Sequence, residues 1–214
     1  KNVGKITNLD ANRIFFDCHY NKDYYDLVDV DCFGSGNPYI NTMLWAVKIG
    51  GLLYLTSTDG RSLTGHLPQK SLISYGVYAR SHPAAQEQAL RILIGSIQQQ
   101  AATKGLGIEP IFSFFTGNTY RVMVSLLSKP NLTEDNYGFL GYCHHCGHYQ
   151  TISWRKLGKV ICPNDGLNLT ISGAMWLGFL HQPEFLKSMI SLAEEWNWLE
   201  CVKLLNIMFE ESTL

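Results

Sequence analysis

The 214-residue sequence lacks a charge excess of either sign, because 17 lysines and arginines face 18 aspartates and glutamates. The formal net charge at pH 7 is −1. Nucleic-acid partners usually require a basic face, since phosphate contacts supply much of the affinity. The overall charge therefore gives no support to nucleic-acid binding, which would have to depend on a local basic patch or on parts of a longer protein.

Long apolar runs are missing as well. None reaches the roughly 20 residues of a membrane helix, so we expect no membrane association. Hydrophobic residues make up 46% of the chain and charged residues 16%, a balance typical of a globular protein. The start at Lys1–Gly4 shows no initiator methionine or targeting segment, and Leu214 follows no evident terminator. These features predict a fragment; they give no indication of the oligomeric state.

The six cysteines do not form a pattern of disulfide pairs. The short spacing Cys143-x-x-Cys146, with Cys162 downstream, indicates a metal site instead. We therefore expect a reducing, intracellular compartment. Nucleus, cytoplasm, chloroplast and mitochondrion all fit this expectation.

The first half of the chain alternates between strand-like and helix-like segments. Strands are predicted at 13–17, 25–30 and 52–56, with a helix near 41–48 between the last two. A strand–helix–strand rhythm favours a parallel sheet with a right-handed crossover. A polar loop at 59–82, a helix at 83–104, and a hairpin of strands 108–116 and 120–127 are predicted to follow.

A division of the chain is expected at Lys129-Pro130-Asn131. Residues 1–128 would form the first domain and residues 129–214 the second. The second would contain a short-stranded, cysteine-bearing segment at 137–172 and helices at 183–214. Phe185, Met189 and Leu192 lie at helical spacing in that last part.

The segment from Asp29 to Ser35, with the sequence Asp-Val-Asp-Cys-Phe-Gly-Ser, lies where a buried strand ends and a loop begins. Ligands of doubly wound sheets bind beyond the carboxyl ends of the strands. An acid there can accept hydrogen bonds from an exocyclic amine, an aromatic ring can stack on a base, and a glycine allows close approach. The alternative is a strand end that is capped by solvated aspartates.

An ordered series of motifs extends this pattern from about Asn8 to near the end of the chain. It comprises Asp31-Cys32-Phe33-Gly34-Ser35, Gly50-Gly51-Leu52-Leu53-Tyr54-Leu55-Thr56-Ser57-Thr58-Asp59, Tyr75-Gly76, Glu87-Gln88-Ala89-Leu90-Arg91-Ile92-Leu93, Ile108-Glu109-Pro110, Tyr120-Arg121-Val122, Cys143-x-x-Cys146, Cys162-Pro163 and Gly173-Ala174-Met175-Trp176-Leu177-Gly178. In this order the chain resembles the tRNA (guanine-N2)-dimethyltransferase family, in a divergent eukaryotic, plant-like form.

The resemblance implies an α/β fold. We expect part of a class I, Rossmann-like methyltransferase sheet that ends in an antiparallel hairpin, followed by a small zinc-ribbon-like β module and C-terminal helices. It implies S-adenosylmethionine as cofactor, tRNA as partner and no DNA. The reaction would be mono- or dimethylation of a guanine N2, typically at position 26 of tRNA.

The resemblance also assigns roles to particular residues. Asp31 would be the catalytic acid, and Phe33 would stack on the flipped-out guanine, with Gly34 and Ser35 beside it. Asp10 and Ala11 match the segment that holds the adenine of the methyl donor. Asp29 faces the same side as Asp31 in a regular strand and is placed with the cofactor; otherwise it caps or orients the loop.

Two departures from the family pattern affect these expectations. The family usually has proline where this chain has Cys32, and proline stiffens a turn by fixing φ. Either other contacts hold the loop, or activity is reduced. No glycine-rich donor-binding loop precedes Asp10. We therefore expect the fragment alone to bind the donor poorly and to be inactive.

A zinc site is predicted at Cys143, Cys146, Cys162 and Asp165, with Asp165 at the position where a complete ribbon would have cysteine. Three histidines, His144, His145 and His148, are substitutes nearby. The alternative is a decayed ribbon whose cysteines pack without metal. The basic run 155–159 within it is a solvated turn or a tRNA contact.

A non-catalytic tRNA-binding or scaffold protein derived from this family is the competing function. The Cys32 substitution, the incomplete ribbon and the near-neutral charge favour it. A methyltransferase acting on amino groups of protein or DNA would also suit an acid–aromatic loop. A nucleotide-dependent oxidoreductase lacks support, because the sequence has no dinucleotide-binding fingerprint.

Overall fold

The computed structural model describes Gly4 and residues 6–212, so the extreme ends, on which the fragment prediction partly depends, lie outside the described residues. The helices are α1 (Ala11–Asn21), α2 (Asn37–Ala46), α3 (Gly60–Leu63), α4 (Pro68–Tyr75), α5 (Ala85–Thr103), α6 (Pro183–Glu195) and α7 (Leu199–Glu211). The strands are β1 (Tyr25–Asp31), β2 (Val47–Ser57), β3 (Gly107–Thr116), β4 (Thr119–Leu127), β5 (Tyr137–Tyr142), β6 (Tyr149–Ile152) and β7 (Thr170–Trp176).

The first sheet has the strand order β1-β2-β4-β3. Strands β1 and β2 are parallel and are connected through α2, whereas β4 runs antiparallel to both of its neighbours. The strand–helix–strand unit and the closing hairpin are thus confirmed. Because β3 and β4 are antiparallel, the turn between them lies at the same end of the sheet as the carboxyl ends of β1 and β2.

One face of this sheet packs against α2 and α5 to form the main core. The alternation of β1 explains this, because Val28 and Val30 are buried while Asp29 and Asp31 are exposed. In α5, side chains four residues apart are fully buried, as the apolar spacing predicts. Burying an aliphatic side chain contributes roughly 1.5–3 kcal/mol, so this face dominates the stability of the sheet.

The opposite face of the sheet is covered by α6 and α7. Ile111 and Phe112 of β3 form a second apolar cluster with Leu186, Leu205 and Met208 of these helices. The C-terminal helices therefore pack on the first sheet. The predicted division of the chain near residue 129 stays a prediction.

The second sheet is antiparallel, with the order β6-β5-β7. Its strand β7 packs directly on α5, where Gly95 allows the approach: a Cβ there would lie 2.8 Å from the Trp176 backbone nitrogen. Arg91 of α5 also donates to the Gly178 carbonyl at 2.8 Å. These contacts fix the second sheet to the first core, and the predicted α/β fold class is confirmed.

Two local predictions are wrong. Residues 13–17, predicted as a strand, lie inside α1, where the Asp10 carboxylate caps the helix by accepting from the Arg13 N–H at 3.1 Å. Ile14 and Cys18 recur four residues apart and both pack on the core, which is a helical period. The segment 59–82, predicted as a loop, contains the short helices α3 and α4.

Candidate functional site

The predicted catalytic acid lies at the carboxyl end of β1. Asp31 is the last residue of this strand, and its side chain is exposed on the face opposite the Val28 and Val30 core. Phe33, two residues later, has a ring that is 98% exposed. An apolar ring so fully open to solvent contributes nothing to the core, so it is available for stacking. The carboxylate and the ring, two residues apart in the chain, are thus both exposed where β1 ends.

The loop that carries Phe33 is held by three hydrogen bonds at Gly34. The Gly34 N–H donates to Thr58 Oγ1 at 2.7 Å, and the Gly34 carbonyl accepts from Ser57 Oγ at 2.9 Å and from the Thr58 N–H at 3.0 Å. Gly34 has φ +84°, a left-handed conformation that disfavours side chains. The end of β2 therefore clamps the loop that follows β1.

These bonds show what holds the loop although Cys32 stands where the family usually has proline. Its thiol is half-buried and lies 3.4 Å from the Thr56 carbonyl oxygen, to which it donates. Burial raises the pKa of this thiol, so it stays protonated. The loop therefore does not depend on a proline at this position, because the β2 hydroxyls and the thiol hold it in place.

A largely buried network of hydrogen bonds connects Ser57 of the clamp to Asp59 and Tyr75. Ser57 Oγ accepts from the Asp59 N–H at 3.3 Å and lies 3.5 Å from the Tyr75 hydroxyl. Asp59 accepts from Ser62 Oγ at 2.8 Å and from the Tyr75 hydroxyl at 3.4 Å. Burial raises the pKa of Tyr75 to about 12, so this hydroxyl remains a donor at neutral pH. Asp59 is a structural anchor here.

The predicted residue Ser35 belongs to the same anchoring system. Its hydroxyl accepts from the Asn37 N–H at 3.3 Å, at the start of α2. It also contacts the Tyr75 hydroxyl and lowers that residue's pKa. The structure thus turns the Ser35 hydroxyl toward the loop base, whereas Phe33 points outward.

Asp29, Asp31 and Arg121 share one face of the sheet. Asp31 pairs with Thr56, and Thr56 pairs with Arg121, so the aspartate and the arginine flank the central strand. Partial burial raises the pKa of Asp29; the Asp31 carboxylate raises it further, and Arg121 lowers it. Within the described residues Arg121 makes no ion pair shorter than 4 Å, and its guanidinium lies 5.8 Å from the centre of the Phe114 ring.

Asp10 and Ala11 lie at the beginning of α1. Contacts of His19 with Trp45 show that α1 runs alongside α2, and α2 starts at the carboxyl end of β1. Asp10 therefore faces the same end of the sheet as Asp31. One carboxylate oxygen caps α1 through Arg13, and the other, on an exposed side chain, has no hydrogen-bond partner among the described residues.

The predicted metal ligands are brought together. The Sγ atoms of Cys143, Cys146 and Cys162 and a carboxylate oxygen of Asp165 all lie within 4.8 Å of one another. Cys146 Sγ is 3.4 Å from Cys162 Sγ, and Cys143 Sγ is 3.2 Å from Asp165 Oδ2. Three sulfurs and one oxygen in such a cluster form a donor set suited to tetrahedral zinc.

The two halves of this cluster are the same turn repeated. In the first, the Gly147 N–H donates to the Cys143 carbonyl; in the second, the Gly166 N–H donates to the Cys162 carbonyl, each at 2.9 Å. Both glycines have positive φ, 76° and 73°. Asp165 thus stands in its turn where Cys146 stands in the other.

Neighbouring groups orient the Asp165 carboxylate. Its Oδ1 accepts from the Leu167 N–H at 3.0 Å, and its Oδ2 lies 3.1 Å from His145 Nδ1. The Leu167 N–H is the main cause of a pKa well below the usual range, so this side chain is ionised. His144 and His148 contribute no atom to the cluster.

Sequence reasoning missed the clamp formed by Ser57 and Thr58. Its signal was present in the run Thr56-Ser57-Thr58, because hydroxyls at the carboxyl end of a strand can reach the loop of the neighbouring strand. Among the described residues, no helix is both long and apolar enough to cross a bilayer.

Comparison with known proteins agrees with this geometry. A solved structure described as Trm1 from Pyrococcus horikoshii with S-adenosyl-L-methionine superposes with a TM-score of 0.81 at 27% identity, covering 95% of this chain and 53% of that one. The fold is therefore that of a Rossmann-like methyltransferase.

The family follows from the sequence comparisons. The family model for N2,N2-dimethylguanosine tRNA methyltransferase matches residues 1–213, and the chain belongs to this family. A tRNA (guanine(26)-N(2))-dimethyltransferase of Saccharolobus islandicus is 33% identical over 97% of the chain. One of Schizosaccharomyces pombe is 30% identical over 87%. The chain spans 55% of the length of the first relative and 37% of the second.

Proposed function

We propose that the protein of which this chain is part transfers methyl groups from S-adenosylmethionine to the N2 amino group of a guanine in tRNA. The exposed Asp31 carboxylate beside the exposed Phe33 ring, at the carboxyl end of β1, is the observation that carries this proposal. The mono- or dimethylation of guanine 26 is the specific form that we propose, by analogy with the relatives' names.

The residues present fit one side of a methyl-donor site. Asp10 lies toward the end of the sheet where β1 ends, and one of its carboxylate oxygens has no partner among the described residues. This oxygen would accept a hydrogen bond from the adenine amino group, with Ala11 beside it. Asp29, on the Asp31 face, would lie on the donor side of the catalytic carboxylate. S-adenosylmethionine supplies a methyl group that its sulfonium already activates, so correct positioning provides much of the rate.

Asp31 and Phe33 would act on the guanine. The N2 lone pair is delocalised into the ring, which makes this nitrogen a poor nucleophile. The Asp31 carboxylate would accept a hydrogen bond from N2–H and direct the lone pair toward the methyl group. It would then take the proton that leaves N2, directly or through one water. Phe33 would stack on the base after it leaves its helix, at a cost of a few kcal/mol.

The test is Asp31→Asn in the full-length protein. The amide keeps the size of the side chain but cannot take the proton, so we expect methyl transfer to be lost while tRNA binding persists. Asp26→Asn is the matched control, because Asp26 is an exposed aspartate of the same strand with a surface ion pair to Lys48. Such a pair contributes little to stability.

Retained turnover in Asp31→Asn would refute the catalytic role. A wild-type full-length protein that binds tRNA but transfers no methyl group would favour the non-catalytic scaffold instead.

We also propose that Cys143, Cys146, Cys162 and Asp165 hold a structural zinc ion. The repeated turns and the clustered donors support this. Cobalt substitution tests it by the intensity of its sulfur charge-transfer absorption. Asp165→Cys should raise this intensity from three thiolates toward four, whereas Asp165→Ala should leave it near three and weaken binding. Absence of cobalt absorption in the wild type would indicate a decayed ribbon.

A further inference from the structure

The segment between β2 and α5 has an unusual charge composition. Residues 60–86 contain Arg61, Lys70 and Arg80 but no aspartate or glutamate, in a chain whose net charge is −1. His66 lies among them, and all four side chains are exposed. We call Arg61, His66, Lys70, Arg80 and the exposed Tyr78 the basic surface.

The cations of this surface have no internal partners. Within the described residues Arg61, Lys70 and Arg80 take part in none of the ion pairs, a property they share with Lys129 but not with Lys187 and Lys203, which pair with glutamates. Neither arginine side chain has a hydrogen-bond partner in the described part of the chain. Their charges are therefore uncompensated and available to an anionic partner.

The fold gathers these residues into one patch. Gly65 packs on the Arg80 backbone, where a Cβ would clash, and Ser81 Oγ lies 3.4 Å from His66 Nε2. The Leu67 N–H donates to the Arg61 carbonyl at 3.0 Å. Arg61, His66 and Arg80, separated by up to 19 positions in the chain, are thus brought close together, and Lys70 lies in α4 between His66 and Arg80 in the chain.

The patch extends from the catalytic end of the sheet to the second sheet. Arg61 follows Thr58, which clamps Gly34, by three residues, so their Cα atoms are at most about 11 Å apart. At the other end, Arg80 N–H donates to Ser172 Oγ at 2.9 Å, and Tyr78 exchanges two backbone hydrogen bonds with Gly173. These bonds fix the backbone of Tyr78, a residue that is 67% exposed.

We infer that the basic surface binds the phosphate backbone of the RNA whose guanine reaches Asp31. This inference rests on the proposed function, and it answers the lack of a global basic charge, because the cations are concentrated beside the site. Arginines recognise phosphates through a planar fork of donors, and an exposed tyrosine can stack on an unpaired base.

The experiment measures the salt dependence of tRNA binding to the full-length protein. Replacing both arginines by glutamine, Arg61→Gln with Arg80→Gln, should weaken binding by roughly an order of magnitude. The slope of log K against log salt should become shallower by about 1 to 2, reflecting the lost phosphate contacts. Replacing both by lysine keeps the charges and should retain most of the slope.

Lys129→Gln is the matched control. Lys129 is also exposed and without an ion pair in the described residues, but it follows β4 at the end of the sheet away from Asp31. An effect of Lys129→Gln equal to that of the double variant, or an unchanged slope in the double variant, would overturn the inference.

Failure of the proposed function is separable from failure of this inference. Asp31→Asn leaves the basic surface intact and should keep the wild-type slope. A normal methylation rate with an unchanged slope in the double variant would refute the surface alone. The double variant could show a shallower slope while the wild-type protein transfers no methyl group. That result would support the basic surface and refute the catalytic proposal.

Discussion

The clamp on the Phe33 loop can be tested by Thr58→Val, which replaces a hydroxyl by a methyl group of similar size. The change removes the acceptor of the Gly34 N–H, a bond of 2.7 Å, and leaves two bonds to the Gly34 carbonyl in place. Thr58 becomes a positioning residue in this view, because it acts on the site through Gly34.

The magnitude follows from the half-buried state of this bond. Leaving a partly buried N–H without an acceptor costs about 1–3 kcal/mol, and partial exposure places the cost at the lower end. A cost of about 1–2 kcal/mol in the local equilibrium of the loop lowers the ratio of clamped to released loop by a factor of roughly 5–30. We therefore expect kcat for tRNA methylation to fall, by at most this factor.

The assay compares steady-state methylation, tRNA affinity and thermal unfolding of the full-length protein. Thr58→Ser keeps the hydroxyl and should restore most of kcat, which a loss of side-chain volume alone would not predict. The affinity for tRNA should change little, because Thr58→Val leaves the exposed cations of the basic surface in place. Wild-type kcat in Thr58→Val, with Thr58→Ser the slower of the two, would refute the reasoning.

Three further predictions concern stability. Burial lowers the pKa of His82 below its usual 6.5. The neutral imidazole therefore contributes fully to the free energy of unfolding above pH 6.5, and this contribution is lost as the pH falls through the lowered value. His82→Gln should flatten this decline in denaturant unfolding measured between about pH 5 and 7, around the unperturbed pKa. Gly65→Ala should destabilise more than Gly105→Ala, because both have positive φ (78° and 74°) but only at Gly65 would the added Cβ meet backbone atoms; equal midpoints would contradict the packing. Chelation should lower the unfolding temperature of the wild type, whereas Cys143→Ser should make unfolding insensitive to the chelator.

Much of the first sheet could be predicted from the sequence, because strands with one buried face alternate between apolar and polar residues. The alternation of Val28 and Val30 with Asp29 and Asp31 indicated both a strand and its exposed carboxylates. The two strand-like segments 108–116 and 120–127 indicated the hairpin, and the cysteine spacing indicated the cluster. In each case the information lies within a few consecutive residues.

The features that the sequence did not predict depend on single side-chain bonds or on residues far apart in the chain. Residues 13–17 are apolar enough for a strand, and the Asp10 cap that makes them helical is a single side-chain bond. The clamp joins Gly34 to Thr58 across 24 positions, and the basic surface joins Arg61 to Arg80 through Gly65. The last two contacts depend on how the elements pack: the run Thr56-Ser57-Thr58 offered hydroxyls, but it did not specify that Gly34 would be their partner.

The position of the second sheet within the chain has a mechanical consequence. The chain leaves the first sheet at Leu127, forms β5–β7, and returns through α6 and α7 to cover the face of β3. The cysteine-bearing sheet is therefore connected to the first sheet at both of its ends, through β4 on one side and through α6 and α7 on the other. The helices α6 and α7 cover the face of the first sheet that also carries Asp29 and Asp31, so a displacement of the second sheet would pull on these helices through residues 177–182. A disturbance of the cluster of Cys143, Cys146, Cys162 and Asp165 would accordingly reach the helices on the Asp31 face of the first sheet as well as acting locally.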